Sequence, residues 1–303
     1  MGRGQKVRKS ARGLALVAVL WVVAALALLV ASLALVAKNE VRTAQARVSS
    51  GEAAALGDAA IQLAVLEWKT ATPPPDRLRR GQYTFEGVTV DVELIPASGY
   101  VDLNTATESL LQAVFVHGAG LTPDTARSLA QRIIDWRDTD TAPLPDGAEA
   151  EAYAAAGVQW RPRNERFIVP EDLLQVLGVD LDLYARIAGF FTVWSGSGGV
   201  DPRAAPIEML FVLSAGDAAN ASRIAAARDA GQIGIDTTML DPSWLSGGGN
   251  RNTLHVLASI PVDGERRAVR GRWVRLTPEK DGTPWKTIRT EPVRFIITAR
   301  DDS

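Results

Sequence analysis

Residues 14–37 form a run of 24 residues without a charge, and nothing else in this chain limits its fold as strongly. Only Ser32 interrupts the apolar and small side chains there. As a helix rising about 1.5 Å per residue, the run would extend about 36 Å, enough to cross the roughly 30 Å hydrocarbon core of a bilayer. The preceding residues hold Arg3, Lys6, Arg8, Lys9 and Arg12 and no acid, whereas Lys38, Glu40, Arg42 and Arg47 follow it. This asymmetry predicts a single-pass helix with a cytoplasmic N-terminus and the rest of the chain on the far side of the membrane.

The run admits three readings. A cleaved secretory signal has a shorter apolar core, about 7–15 residues, closed by a small-x-small site, and a plain anchor fits the length. The third rests on Gly13, which stands between the basic leader and the apolar run. The string RG followed by LALVAVLW resembles a type IV prepilin leader, cut by a prepilin peptidase after the glycine on the cytoplasmic side. Gly13 and Leu14 are then the processing site. Most such proteins carry glutamate at the fifth mature position, where this chain has Ala18.

Beyond the run the pattern stays helical to about residue 69, until Pro73, Pro74 and Pro75 remove backbone donors and exclude helix. In YTFEGVTVDVELI, Val88, Val90, Val92 and Leu94 alternate with polar residues, predicting a half-buried strand in a hairpin turning at Gly87. Residues 101–190 read as helices, with Asn104 or Thr105 as the first cap and a second helix from about 122 to 136. The pattern then recurs: VDLNTATESLL at 101–111 aligns with VDPRAAPIEML at 200–210, and AQRIIDWR at 130–137 with ASRIAAAR at 221–228. After residue 231 three alternating segments, NTLHVLASIPV, RAVRGRWVRLTP and EPVRFIITA, predict strands, and SGGGN at 246–250 reads as a mobile loop. The class is α+β. Its divisions are a leader at 1–13, a transmembrane helix at 14–37 and its continuation at 38–69. The first part of a sheet follows at 70–99, an inserted helical domain at 100–190, a second helical unit at 191–245 and C-terminal strands at 246–303.

Three groups of residues could carry function. Between 138 and 160 lie Asp138, Asp140, Asp146, Glu149 and Glu151 with no Lys or Arg, in a Pro- and Ala-rich loop. Clustered carboxylates repel unless a cation neutralises them, and Ca²⁺ takes six to eight oxygens from flexible loops. Asp138 and Asp140 share the spacing that opens an EF-hand, but the later positions do not follow, and composition alone favours a solvated acidic loop. HGAG at 117–120 has a helix-hairpin-helix flavour, which could offer backbone N–H groups to a DNA phosphate. Residues 101–151 carry only Arg127, Arg132 and Arg137 against nine acids, so the electrostatic drive for nucleic acid is missing. No nucleic-acid partner is expected, although a membrane-anchored DNA-uptake protein is the alternative function. The last group is Trp136, Trp160, Trp194, Trp244, Trp273 and Trp285, read as mostly core. With no cysteine and only His117 and His255, both read as structural, an enzyme is not expected.

The leader RGLALVAVLW, a long helix ending near LEW, then GYVDLNTA, IIDWRDTD, DGAEAEAY, RNERFIVPEDLLQVLGV and TVWSGSGGVDPRAAPIEML together resemble the minor pseudopilin K family of type II secretion. The absent glutamate at Ala18 belongs to the same resemblance. It implies a pilin-like long helix with an antiparallel sheet and a large inserted helical, SAM-like or helix-hairpin-helix-like domain. It also implies an inner-membrane protein with a periplasmic C-terminal domain, at the tip of the pseudopilus. Its partners would be minor pseudopilins I and J, the major pseudopilin filament and prepilin peptidase. Structural Ca²⁺ is implied as well, held by Asp138, Asp140 and Glu149, with Asp135, Glu151 and Asn164 as further ligands. Without its leader the chain has 28 Lys+Arg against 35 acids, so a near-neutral average of −2 conceals an acidic body of −7.

Overall fold

The computed structural model describes residues 11–247, 250–278 and 282–297, without the side chains of 11–17, 31, 33–37, 39 and 41–47. Residues 1–10 of the leader, the Leu14 side chain at the Gly13–Leu14 processing site and part of SGGGN lie outside what is described. The chain divides into two units, Met1–Ala53 and Ala54–Ser303. The first is the N-terminal stretch of α1 (Ala11–Thr70). Its apolar residues Leu20, Trp21 and Leu28 are about 70% exposed. Among the described residues no helix is long and apolar enough to cross a membrane. Of the expected span at 14–37, the side chains of 14–17, 31 and 33–37 lie outside those described.

In the second unit the end of α1 buries Ala60, Ile61, Ala64, Val65 and Trp68, the i, i+4, i+8 stripe of an amphipathic helix. Gly57 lets it approach the sheet, since a Cβ there would stand 2.7 Å from Arg270 Cβ and 3.2 Å from Ile260 Cδ1. Asp58 fixes the register, receiving Arg270 Nε at 2.8 Å and Arg272 Nη2 at 2.6 Å.

The antiparallel sheet runs β1 (Arg79–Phe85), β2 (Val88–Pro96), β5 (Thr253–Pro261), β6 (Arg266–Arg275) and β7 (Lys286–Thr290), with β8 (Arg294–Ile297) also on β6. The β1–β2 turn is the expected one, with Glu86 and Gly87 at φ 47° and 86° as a tight hairpin requires. Strand β7, KTIRT, carries too few apolar residues to be read from sequence. Because β2 and β5 are neighbours (Leu94 opposite Val256), residues 97–252 leave the sheet and return beside the strand they left.

Those residues hold α2 (Glu108–Ala113), α3 (Pro123–Arg137), α4 (Ala150–Ala155), α5 (Leu181–Ile187), α6 (Ile207–Leu213) and α7 (Ala218–Asp229). Two short parallel strands, β3 (Val101–Asp102) and β4 (Phe191–Thr192), bracket the stretch holding α2 to α5 and tie its ends together. The two helical units distinguished in the sequence share one core, from Val101 through Trp136 and Leu183 to Met209, Ile224 and Leu240. The repeat is structural. Asp102 O accepts from Thr105 N and Ala106 N, and Asp201 O accepts from Ala204 N and Ala205 N. At the ends of α3 and α7, Arg137 and Arg228 each reach back to their own copy's turn, at Ala106 O and Ala205 O.

The first helix is capped by Thr107, whose Oγ1 accepts from Leu110 N, and not by Asn104 or Thr105. Those two are engaged elsewhere: Asn104 exchanges hydrogen bonds with the backbone of Phe167, and Thr105 donates to Ser197 O at 2.6 Å. Thr107→Ala should therefore cost about 1 kcal/mol in chemical denaturation, whereas an Asn104 substitution should loosen the chain around Phe167. Of the tryptophans read as core, Trp136 and Trp273 are buried while Trp160 is 46% exposed.

Candidate metal centre

Helix α3 is amphipathic, but its loop-facing side carries polar residues at Ser128, Gln131 and Asp135, the last fully buried. They bind the returning loop. Ser128 Oγ donates to Asp146 O (2.9 Å), Gln131 Oε1 accepts from Asp146 N (2.7 Å), and Asp135 accepts from Leu144 N (3.2 Å) and Ala148 N (2.7 Å). The result carries Glu149 back to the end of α3. There Asp138, Asp140 and Glu149 each offer an oxygen within 4.8 Å of the others.

These carboxylates are poorly compensated. Asp138 Oδ1 and Glu149 Oε1 are buried without a hydrogen-bond partner, and Glu149 is only 7% exposed. Burial pushes Glu149 above the usual carboxylate range, and the charges of Asp135, Asp138 and Asp140 push it further. Burial likewise raises Asp138, helped by Asp140 and Asp135 and opposed by Arg137. Asp135 is raised chiefly by burial, against the hydrogen bonds from Leu144 and Ala148. An all-oxygen set with orphaned buried anions suits a hard cation, and opposite ligands of one Ca²⁺ stand about 4.6–5.2 Å apart.

Asn164, at φ 52°, donates through Nδ2 to the carbonyl of Asp140 and so holds that backbone in place. Glu151 is exposed in the first turn of α4 and stands outside the group of three. The use of Asp135 was not legible as such; its signal was the polar i, i+3, i+7 row on an otherwise apolar face.

The hairpins offer phosphate little. In the first, Ala119 N, Gly120 N and Leu121 N donate to Val114 O, Val116 O and Phe115 O; in the second, Ala215 N, Gly216 N and Asp217 N are similarly taken. The N-terminus of α7 is capped by the Asp217 carboxylate, and that of α3 has Asp124 in its first turn. His117 packs near Gly216 between the hairpins.

His255 lies flat on Trp273, ring centroids 4.4 Å apart, and its Nδ1 shares a 2.8 Å hydrogen bond with Tyr100 Oη. Its Nε2 stands 3.1 Å from Glu291 Oε1, near enough for charge attraction. Burial favours the neutral acid at Glu291, but His255, Arg294 and Arg289 outweigh it and hold the group at about 2. A carboxylate lowered in this way stabilises the fold above its ordinary value of 4.5, and that contribution is lost as the pH falls toward 2. Sequence pattern had no means of joining positions 100, 255 and 291.

Residues 102–196, about a third of the chain, match the family model described as type II secretion system (T2SS), protein K. A type II secretion system protein K of Pectobacterium carotovorum subsp. carotovorum is 39% identical over 64 residues, 21% of this chain and 20% of that protein. One from Dickeya chrysanthemi is 34% identical over 74 residues, 24% of this chain and 20% of the relative. The aligned segments thus span a fifth of each relative's length. Among solved structures, a chain of the crystal structure of the GspK-GspI-GspJ complex from the enterotoxigenic Escherichia coli type 2 secretion system aligns at 12% identity. Its TM-score is 0.49, with 86% of this chain and 99% of that chain covered. The resemblance to the protein K family, read from the sequence, holds.

Proposed function

We propose that this chain is a minor pseudopilin of a type II secretion system, a structural subunit of the pseudopilus tip without catalysis of its own. The match of residues 102–196 to protein K carries the reading, because that stretch contains the first hairpin and the whole acidic loop. The exposed apolar stretch at residues 18–30 supports an inner-membrane anchor, with Ala54 onward in the periplasm. The bulk of residues 97–252 and the lack of a carboxylate at Ala18 support a terminal position, where no subunit above needs that charge. Minor pseudopilins I and J and the major pseudopilin filament are the partners, prepilin peptidase the processing enzyme. Asp138, Asp140 and Glu149 would hold Ca²⁺, which when bound offsets most of their negative charge and ties α3 to α4.

The test is co-expression of the full chain with prepilin peptidase and two small pilin-like partners. The mature N-terminus should be Leu14, and the three chains should purify as one complex in detergent. A mature chain starting elsewhere, or one that elutes alone in every mixture, would overturn the reading. Gly13→Val should leave the leader uncut.

A further inference from the structure

We propose that Asp135 is a positioning residue of the cation site and not one of its ligands, so that the loop is held ready before any ion arrives. The inference rests on the calcium reading above. Both Asp135 oxygens are engaged by main-chain N–H groups, Leu144 N to each at 3.2 and 3.3 Å and Ala148 N to Oδ2 at 2.7 Å. The orphaned oxygens belong instead to Asp138 and Glu149. Glu149 follows Ala148 directly, so the bond to Ala148 sets where the Glu149 carboxylate points. Gly147 belongs to the same device. A Cβ at that position would collide with the Asp135 carboxylate, and only glycine lets the loop pass this close. With Gln131 and Ser128 holding Asp146 one turn away, α3 presents a three-point template.

Residues that orient ligands typically change metal affinity by 10–100-fold when altered. The experiment uses the full chain in detergent, with Ca²⁺ affinity from calorimetry and hydrogen exchange of peptides covering 141–149, with chelator and with Ca²⁺. Asp135→Asn should weaken Ca²⁺ at least about tenfold and speed exchange of those peptides under both conditions. Glu149→Gln should abolish Ca²⁺ binding yet leave exchange in chelator unchanged. Gly147→Ala, which alters no charge, should reproduce the Asp135→Asn pattern and keeps the test open if that variant does not fold. If Asp135→Asn lost Ca²⁺ with exchange as slow as wild type, Asp135 would be a ligand and the proposal overturned. Wild-type affinity in both Asp135→Asn and Gly147→Ala would overturn it equally. If wild type bound no Ca²⁺ while Asp135→Asn still sped exchange, the calcium reading would fall and the template would stand.

Discussion

Adding Ca²⁺ to the chelator-treated protein at neutral pH will raise its melting temperature by about 5–10 °C, and the gain will shrink on acidification. The size follows from linkage: at a hundred times Kd a ligand that binds only the folded state adds about 2.7 kcal/mol. A kilocalorie shifts the melting point of a unit this large by roughly 2–4 °C. The pH dependence follows from Asp135, Asp138 and Glu149, all raised in the fold. A raised carboxylate binds its proton more tightly folded than unfolded. In chelator, stability therefore increases as pH falls through the window just above the ordinary values of 3.8 and 4.5. Protons and Ca²⁺ compete for the oxygens of Asp138 and Glu149, so the calcium gain is largest at neutral pH and fades across that window. Below it, groups held low, such as Glu291 and Asp229, begin to protonate and the trend reverses. The Asp138→Ala and Asp140→Ala double variant should lose the calcium gain and melt in chelator no lower than wild type, because it sheds the repulsion. If wild type melted identically with Ca²⁺ and with chelator, only a solvated acidic loop would remain.

How much of this was legible depends on range. The β1–β2 hairpin was readable because alternation and a Gly turn are local, and the VD repeat because its turn is built from the backbone of five consecutive residues. The first cap was misplaced because Asn104, Thr105 and Thr107 are all good capping residues. Only contacts 63 and 92 residues away, with Phe167 and Ser197, decide that the first two are employed elsewhere. The candidate site divides the same way. Asp138 and Asp140 advertise themselves by charge, whereas Asp135 looks like one more acid until its oxygens are seen filled by N–H groups. The shared core of the two helical units was hidden because each copy, taken alone, has a complete helical pattern.

The repeat leads to a second large effect, in which two equivalent arginines should respond differently. Arg228 is fully buried, donates to Ala205 O, and pairs through Nε with Asp229 Oδ1 at 2.8 Å. Arg228→Ala opens a cavity and strips a buried carbonyl of its donor, costing about 3–5 kcal/mol and lowering the melting point by roughly 10 °C. Asp229 is not orphaned, since Arg80 Nη1 holds it at 2.6 Å. Arg228→Met, which keeps the volume and removes a guanidinium whose Nη2 already lacks a partner, should recover about half of that. Arg137 occupies the matching position, with Nη2 donating to Ala106 O at 2.7 Å and Nη1 to Leu103 O. Its charge also opposes the forces that raise Asp138. Arg137→Met therefore removes a backbone clamp and at the same time the one cation acting on Asp138 from the neighbouring position. The variant should be more sensitive to chelator than wild type, while Arg228→Met, remote from the loop in sequence and in partners, should lose the same amount with or without Ca²⁺. Melting both variants in Ca²⁺ and in chelator measures that difference. Equal losses for Arg137→Met in the two conditions would mean that its charge does not reach the acidic group.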